Sequence, residues 1–362
     1  MSTPDMDPPG LRMTSLATWL GQRDLPIDAD GPLSAHLFPG GRSNVTYRLT
    51  DRHGNSIVLR RPPLGHVLPS AHDMSREYRV LSGLGRAGFP APIAYALCED
   101  DEVIGSSFVV MSFVEGRSIS DAQGAAALSE QEASEISESL ISTLVRLHAV
   151  DTVQAELTDL GKPDGYLVRQ LTRWSRQWEL TKTRELPIID ELRDRLGVLI
   201  SGLPDDVPAT LVHGDFRLDN SILAADSPNV LAVLDWEMST QGDPLSDLAL
   251  TLVYWTRPDD NLRRLVPIAP GVTERTGFWD RSRVIEEYAN LSGLNLDHLD
   301  PRTALACFKL AVITESIHAR TLGGQQLGTA TMNDENMGKS TEHLAELGLN
   351  VLRLGTVAGL AS

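Results

Sequence analysis

Two short apolar runs, Leu211-Val212 and Val230-Leu231-Ala232-Val233-Leu234, interrupt a stretch whose other patterns are helical, and each leads into acidic or amide side chains. The first passes through His213-Gly214 to Asp215, with Asn220 five positions later, and the second ends in Asp235-Trp236-Glu237. Short β-prone runs bounded by turn residues read as strands, so residues 210–234 form a small β-like insertion. Strand ends would gather an Asp, an Asn and a second Asp there. A few hard oxygen ligands, completed by water and substrate phosphates, are what Mg2+ requires. Asp215 is then left to accept a proton from an attacking hydroxyl.

On either side the chain reads differently. Before about residue 113 it favours short strands: Tyr47-Arg48-Leu49-Thr50, a turn at Asp51-Arg52-His53-Gly54-Asn55, then Ile57-Val58-Leu59-Arg60. A helix follows with Met74, Tyr78, Leu81 and Leu84 on one face. A second hairpin is expected over residues 93–97 and 107–111, around the acidic turn Glu99-Asp100-Asp101-Glu102. From about residue 115 helices dominate. Ser129 and Glu132 make a capping box ahead of Ile136, Leu140, Leu144 and Leu147. Trp174 and Trp178, one helical turn apart, suit core packing better than ligand contact. Asp243 as N-cap and Pro244 as first helical residue start a helix striped by Leu245, Leu248, Ala249, Leu252 and Val253, with Asp247 inside it. Asp300-Pro301 opens another helix, and residues 333–354 form a further one.

Composition narrows the classes. A chain of 362 residues has length for roughly two globular units, and 41% hydrophobic content excludes a disordered chain. A net charge of −17 argues against nucleic-acid partners and against docking on an anionic membrane. Cys98 and Cys307 lack metal or disulfide-framework spacing, which favours a reducing compartment. The opening MSTPDMDPPG reads as a loose tail rather than a secretory signal. The most apolar stretch, residues 304–313, is broken by Lys309, so no membrane span is expected and a cytoplasmic location follows.

His213-Gly214-Asp215-Phe216-Arg217-Leu218-Asp219-Asn220, with Asp235 fifteen residues on and Gly242-Asp243-Pro244-Leu245-Ser246-Asp247-Leu248-Ala249 downstream, resembles the catalytic core of the aminoglycoside phosphotransferase family. The resemblance spans about residues 35–320 and implies the bilobal protein-kinase-like fold shared with choline and homoserine kinases. The expected class is α+β, with a small β-rich N-lobe holding one main helix and a larger, mostly helical C-lobe. Residues 1–20 would be a flexible tail and lead-in helix, 21–114 the nucleotide-binding N-lobe, and 115–362 the C-lobe with the catalytic loop, metal site and acceptor-binding helices.

By this resemblance Asp215 is the catalytic base and Asn220 and Asp235 hold Mg2+. His213 supports the loop architecturally, and Asp247 accepts hydrogen bonds from catalytic-loop backbone. Arg217 falls where serine/threonine kinases have a Lys near the transferred phosphate. Glu237 is either a support to the metal or a solvent-facing residue. ATP would bind in the N-lobe against Gly40, Gly41 and Ser43 of a glycine-containing turn, under Val58, with Met111 and Phe113 at a hinge. The family usually places a Lys on the third strand, paired with a helix Glu; here only Arg60 and Arg61 stand there. Arg60 shares a strand face with Val58 and is assigned that role, with Glu77 as partner.

The expected activity is ATP- and Mg2+-dependent transfer of a phosphoryl group to a hydroxylated small molecule. The acceptor is an aminoglycoside, or a hydroxyacyl-CoA or another metabolic alcohol. Leu59-Arg60-Arg61-Pro62-Pro63 and Asp235-Trp236-Glu237 look more like the branch related to kinase-like domains fused to acyl-CoA dehydrogenases. A catalytically silent nucleotide-binding scaffold is the alternative of another class, prompted by the missing Lys. Tyr254 and Trp255 are assigned to core packing, and no oligomeric state is readable.

Overall fold

Alternating burial along the third strand sets the geometry of the N-terminal region: Ile57, Leu59 and Arg61 face inward while Val58 and Arg60 turn to the opposite face. In the computed structural model, which describes residues 7–38, 44–64, 73–204, 207–267, 271–323 and 334–362, the chain divides into two units. The first comprises residues 1–115, 153–157 and 232–237, the second 116–152, 158–231 and 238–362.

The first unit runs α1 (Met13–Gly21), β1 (Ser34–Leu37), β2 (Val45–Thr50), β3 (Ser56–Arg61), α2 (Met74–Arg86), β4 (Ala94–Cys98), α3 (Asp101–Ile104) and β5 (Phe108–Ser112). Its strands form one antiparallel sheet in the order β1-β2-β3-β5-β4. The β2–β3 turn closes because Asp51 accepts the N–H groups of His53 and Asn55 at 2.8 and 2.9 Å and that of Asp28 at 2.9 Å. Gly54 supplies the left-handed residue, at φ +89°.

One further expectation is met here and two are corrected. The lead-in helix expected within residues 1–20 is α1, and the segment from Leu11 is anchored: Leu11, Leu16, Trp19 and Leu20 are buried against Tyr47, Leu59 and Phe108, with Trp19 edge-on to Phe108 at 4.9 Å. Tyr47 fixes the segment further by donating to the Pro9 carbonyl at 2.5 Å. The acidic turn contains helix α3, because Asp100 caps the Glu102 N–H at 2.9 Å and Gly105 ends the turn at φ +87°. On α2, Val80 rather than Tyr78 completes the buried stripe.

The second unit contains α4 (Ala122–Ala126), α5 (Glu130–His148), α6 (Tyr166–Thr181), α7 (Pro187–Ser201), β6 (Thr210–Val212), β7 (Ser221–Leu223), β8 (Val230–Val233, whose last two residues fall in the first unit), β9 (Thr240–Gly242), α8 (Pro244–Tyr254), α9 (Arg281–Ser292), α10 (Leu299–Leu322), α11 (Asp334–Leu354) and α12 (Thr356–Ala361). β6 pairs antiparallel with β9, and β7 and β8 form a second two-stranded sheet. Helix α8 is buried on nearly every side, and α10 packs against it. Its start matches its local chemistry: the Asp243 carboxylate accepts the Leu245 N–H at 2.8 Å, with Pro244 at the first helical position. Trp174 and Trp178 are core residues. Among the described residues no helix is long and apolar enough to cross a membrane.

Candidate functional site

In the second unit, β6 ends at Val212 and the chain turns sharply at Gly214, whose φ is +82°. A Cβ there would lie 2.9 Å from the Met238 carbonyl oxygen, so the turn requires glycine. Asp247, in the first turn of α8, accepts the N–H groups of His213 and Gly214 at 2.6 and 2.8 Å. His148, from the last turn of α5, lies 3.4 Å from the same carboxylate and 2.7 Å from the Tyr288 hydroxyl. Burial alone would raise the Asp247 carboxyl, but His148 and the loop N–H groups bring it below its ordinary value. The fully buried His213 ring accepts the Asp215 N–H through Nδ1 at 3.1 Å, and Lys309 of α10 donates to the Gly214 carbonyl at 2.5 Å. Both sides of this turn are therefore held by buried polar groups.

Asp215 sits at the centre. The Tyr254 hydroxyl donates to its Oδ1 at 2.7 Å. The Asn220 amide donates to its Oδ2 at 3.1 Å and to its backbone carbonyl at 2.9 Å. Arg217 approaches Oδ2 to 3.2 Å, pairs with Asp219 at 3.1 Å, and lies 5.1 Å from the centre of the Tyr254 ring. Burial would lift the Asp215 carboxyl, yet Arg217, Lys309 and the Tyr254 hydrogen bond together hold it below its ordinary value. Burial, followed by the Asp215 charge, pushes the Tyr254 phenol well above its own, so it remains a proton donor. With its nitrogen committed to Asp215, Asn220 has its amide oxygen as the group suited to a hard cation.

In the first unit, Arg60 lies 3.2 Å from Glu77, pairs directly with Asp235, and comes within 3.7 Å of Glu237. Asn44 donates to Glu237 at 3.1 Å. Burial opposes the Arg60 charge, but Glu77 and Asp235 more than restore it, and the guanidinium stays protonated. Arg61, by contrast, is spent on the carbonyls of Gly10 and Ile104. Asp235 itself is left-handed at φ +68°. The following Trp236 locks that bend, donating to the Val233 carbonyl at 2.8 Å while packing edge-on against Phe89 at 5.7 Å.

Val58 lies opposite Met111 across β3 and β5. Met111 is buried in the sheet, while Phe113 stacks on Phe38 at 6.4 Å beneath the Arg48 guanidinium at 4.1 Å. Gly40, Gly41 and Ser43 lie outside the described residues. Thus Asp215, Arg217, Asn220, His213 and Asp247 come together in one unit, and Arg60, Glu77, Asp235 and Glu237 in the other. Tyr254 is a correction, since its phenol reaches Asp215 instead of serving packing alone. His148 and Lys309 were not anticipated; the lone cation inside an apolar helix was the available signal, because a buried ammonium needs a partner.

Residues 34–284 match the family model described as Phosphotransferase enzyme family. Acyl-CoA dehydrogenase family member 11 of Gallus gallus is 36% identical over 334 residues, covering 90% of this chain and 41% of the relative. The chain spans less than half the length of the curated relatives it matches first. Among solved structures, a candidate aminoglycoside phosphotransferase from Ralstonia eutropha is 31% identical, with a TM-score of 0.77 and coverage of 94% of this chain and 98% of that one. Aminoglycoside phosphotransferase APH(4)-Ia, in a ternary complex with AMP-PNP and hygromycin B, shares the fold at 16% identity, with a TM-score of 0.59 and coverage of 91% and 96%.

Proposed function

Because the chain belongs to the phosphotransferase enzyme family, we propose that it transfers the γ-phosphoryl group of ATP to a hydroxyl of a small molecule, with Mg2+ as cofactor. The observation that carries this reading is the Asp215 carboxylate, held ionised and accepting a hydroxyl, that of Tyr254, at an oxygen–oxygen distance of 2.7 Å. That is the contact a general base makes with an alcohol. Asn220 and Asp235 are the residues we assign to the metal, as an amide oxygen and a carboxylate. Such a short oxygen set suits Mg2+, which keeps water and phosphate in its remaining positions. Among the described residues no cluster of three or more His, Cys, Asp or Glu offers an all-protein cage instead. Bound Mg2+ would neutralise charge on the phosphates.

The rest falls to the chain's own side chains. Asp215 orients the acceptor hydroxyl and takes its proton. Arg217 supplies positive charge near the reacting centre. Arg60, oriented by Glu77, holds the nucleotide phosphates in place of the usual Lys, and its planar fork allows a bidentate grip. Val58 and Met111 flank the base, and residues up to about 115 form the nucleotide lobe. Two free, buried cysteines suit the reducing cytoplasm.

For the acceptor we favour a hydroxyacyl-CoA or another metabolic alcohol over an aminoglycoside. The support is 36% identity across nine-tenths of this chain to an acyl-CoA dehydrogenase family member, whereas the hygromycin-bound enzyme shares only the fold. The test is Mg-ATP-dependent ADP release over a panel of hydroxyacyl-CoAs, aminoglycosides, choline, homoserine and sugars, with Asp215→Asn as control. Turnover that needs an acceptor and disappears in the variant supports the reading. Failure to bind Mg-ATP rejects it, and binding without turnover on any acceptor favours a silent scaffold.

A further inference from the structure

The phenol of Tyr254 makes with Asp215 the contact that an acceptor would have to make: an O–H donated to a carboxylate oxygen at 2.7 Å. The other oxygen, Oδ2, is engaged by the Asn220 amide at 3.1 Å and by Arg217 at 3.2 Å. Tyr254 closes helix α8, is 8% exposed, and has its ring near the Arg217 guanidinium. It is thus held by a buried helix on one side and by the base on the other. A hydroxyl so placed competes with any other hydroxyl for Oδ1, water included.

We propose that Tyr254 is a placeholder for the acceptor, occupying Oδ1 of Asp215 until a substrate hydroxyl displaces it and so suppressing wasteful transfer to water. The inference rests on the phosphotransferase reading above and adds to it a guard against hydrolysis. In the suppressed reaction an oxygen–phosphorus bond forms from water as the bond from the γ-phosphorus to ADP breaks. The water proton passes to Asp215 and then to the released phosphate. Asp215 accepts that proton only when its Oδ1 is open to the attacking oxygen.

The experiment uses the full chain with Mg-ATP alone and no acceptor, comparing wild type, Tyr254→Phe, Asp215→Asn and the double variant. Tyr254→Phe keeps the ring under Arg217 and removes only the hydroxyl. The expected result is acceptor-independent ADP release about 10-fold faster in Tyr254→Phe than in wild type, with unchanged Mg-ATP affinity and with the gain abolished in the double variant. A merely structural tyrosine would lower this rate or leave it alone, and either result overturns the proposal. So does phosphotyrosine at position 254 in wild type after incubation with Mg-ATP, detected by mass spectrometry, since the residue would then be an acceptor. If wild type fails to bind Mg-ATP, the phosphotransferase reading falls and the guard with it; binding intact with hydrolysis not raised removes the guard alone. Should Tyr254→Phe lose its wild-type circular-dichroism spectrum, Tyr254→Leu, which is smaller and has no donor to offer Asp215, carries the same comparison.

Discussion

Lys309 reaches from the middle of α10 to the carbonyl of Gly214, donating at 2.5 Å. It fixes the backbone from which Asp215 projects and adds positive charge that helps hold the Asp215 carboxyl low. Replacing Lys309 by Met should lower kcat by about 10-fold or more. The sign of the pH effect is defined: Asp215, as the proposed base, acts above its pKa, the pKa rises when the cation leaves, and activity is then lost at a higher pH on acidification. A pH profile of kcat/KM tests this, and an unmoved acid limb would count against a role for Lys309 in tuning the base.

Asp247 accepts the backbone N–H groups of His213 and Gly214 and neighbours His148. Asp247→Ala should cost about 2–5 kcal/mol, because it strands those donors in the interior. Urea denaturation gives the number directly. Full stability with lost activity would mean that the loop is anchored by other contacts.

Gly214→Ala introduces a methyl at 2.9 Å from the Met238 carbonyl, at a φ of +82°. Left-handed backbone costs a non-glycine residue about 1–2 kcal/mol before any clash is counted. A lower melting temperature and reduced kcat are expected together.

For the cation in the first unit, Arg60→Met should weaken Mg-ATP binding by about 10- to 100-fold, or about 1.4–2.8 kcal/mol. It leaves Glu77 buried without its partner. Arg60→Lys should fall between, since an ammonium cannot reproduce the fork. Isothermal titration distinguishes the three proteins; equal affinities would remove Arg60 from nucleotide binding.

Asp51 is held far below its ordinary value: backbone N–H groups from Asp28, His53 and Asn55, with the Asn55 side chain, outweigh desolvation. A depressed carboxyl stabilises the fold above its unfolded pKa, about 3.9, and that contribution fades as pH falls toward the folded value. Asp51→Ala should therefore lower the urea midpoint at pH 7, and the gap to wild type should narrow in acid.

Local signals made much of this legible before any coordinates. The β2–β3 hairpin could be read because strand alternation and the Asp51–Asn55 turn act within a few residues, and the start of α8 because Asp243 and Pro244 are a short-range cap. The same face argument separated Arg60 from Arg61. What escaped depends on distant contacts. Tyr254 meets Asp215 across 39 residues, Lys309 meets Gly214 across 95, and His148 meets Asp247 across 99. No periodicity carries such information. Lys309 interrupted an apolar run and so argued against a membrane span; the same interruption marked a buried charge in need of a partner. Helix α3 was missed because four acidic residues in a row look like a turn, although Asp100 and Gly105 bracket a single helical turn.

The left-handed backbone at Asp235 has an evolutionary corollary. Asparagine and glycine also occupy that conformation readily, so the position can lose its carboxylate by a single-residue change without disturbing the bend that Trp236 secures. On the proposed assignment of Asp235 to the metal, silencing is thus close at hand for a lineage of this fold: a descendant could shed metal binding in one step and persist, fully folded, as a binding protein.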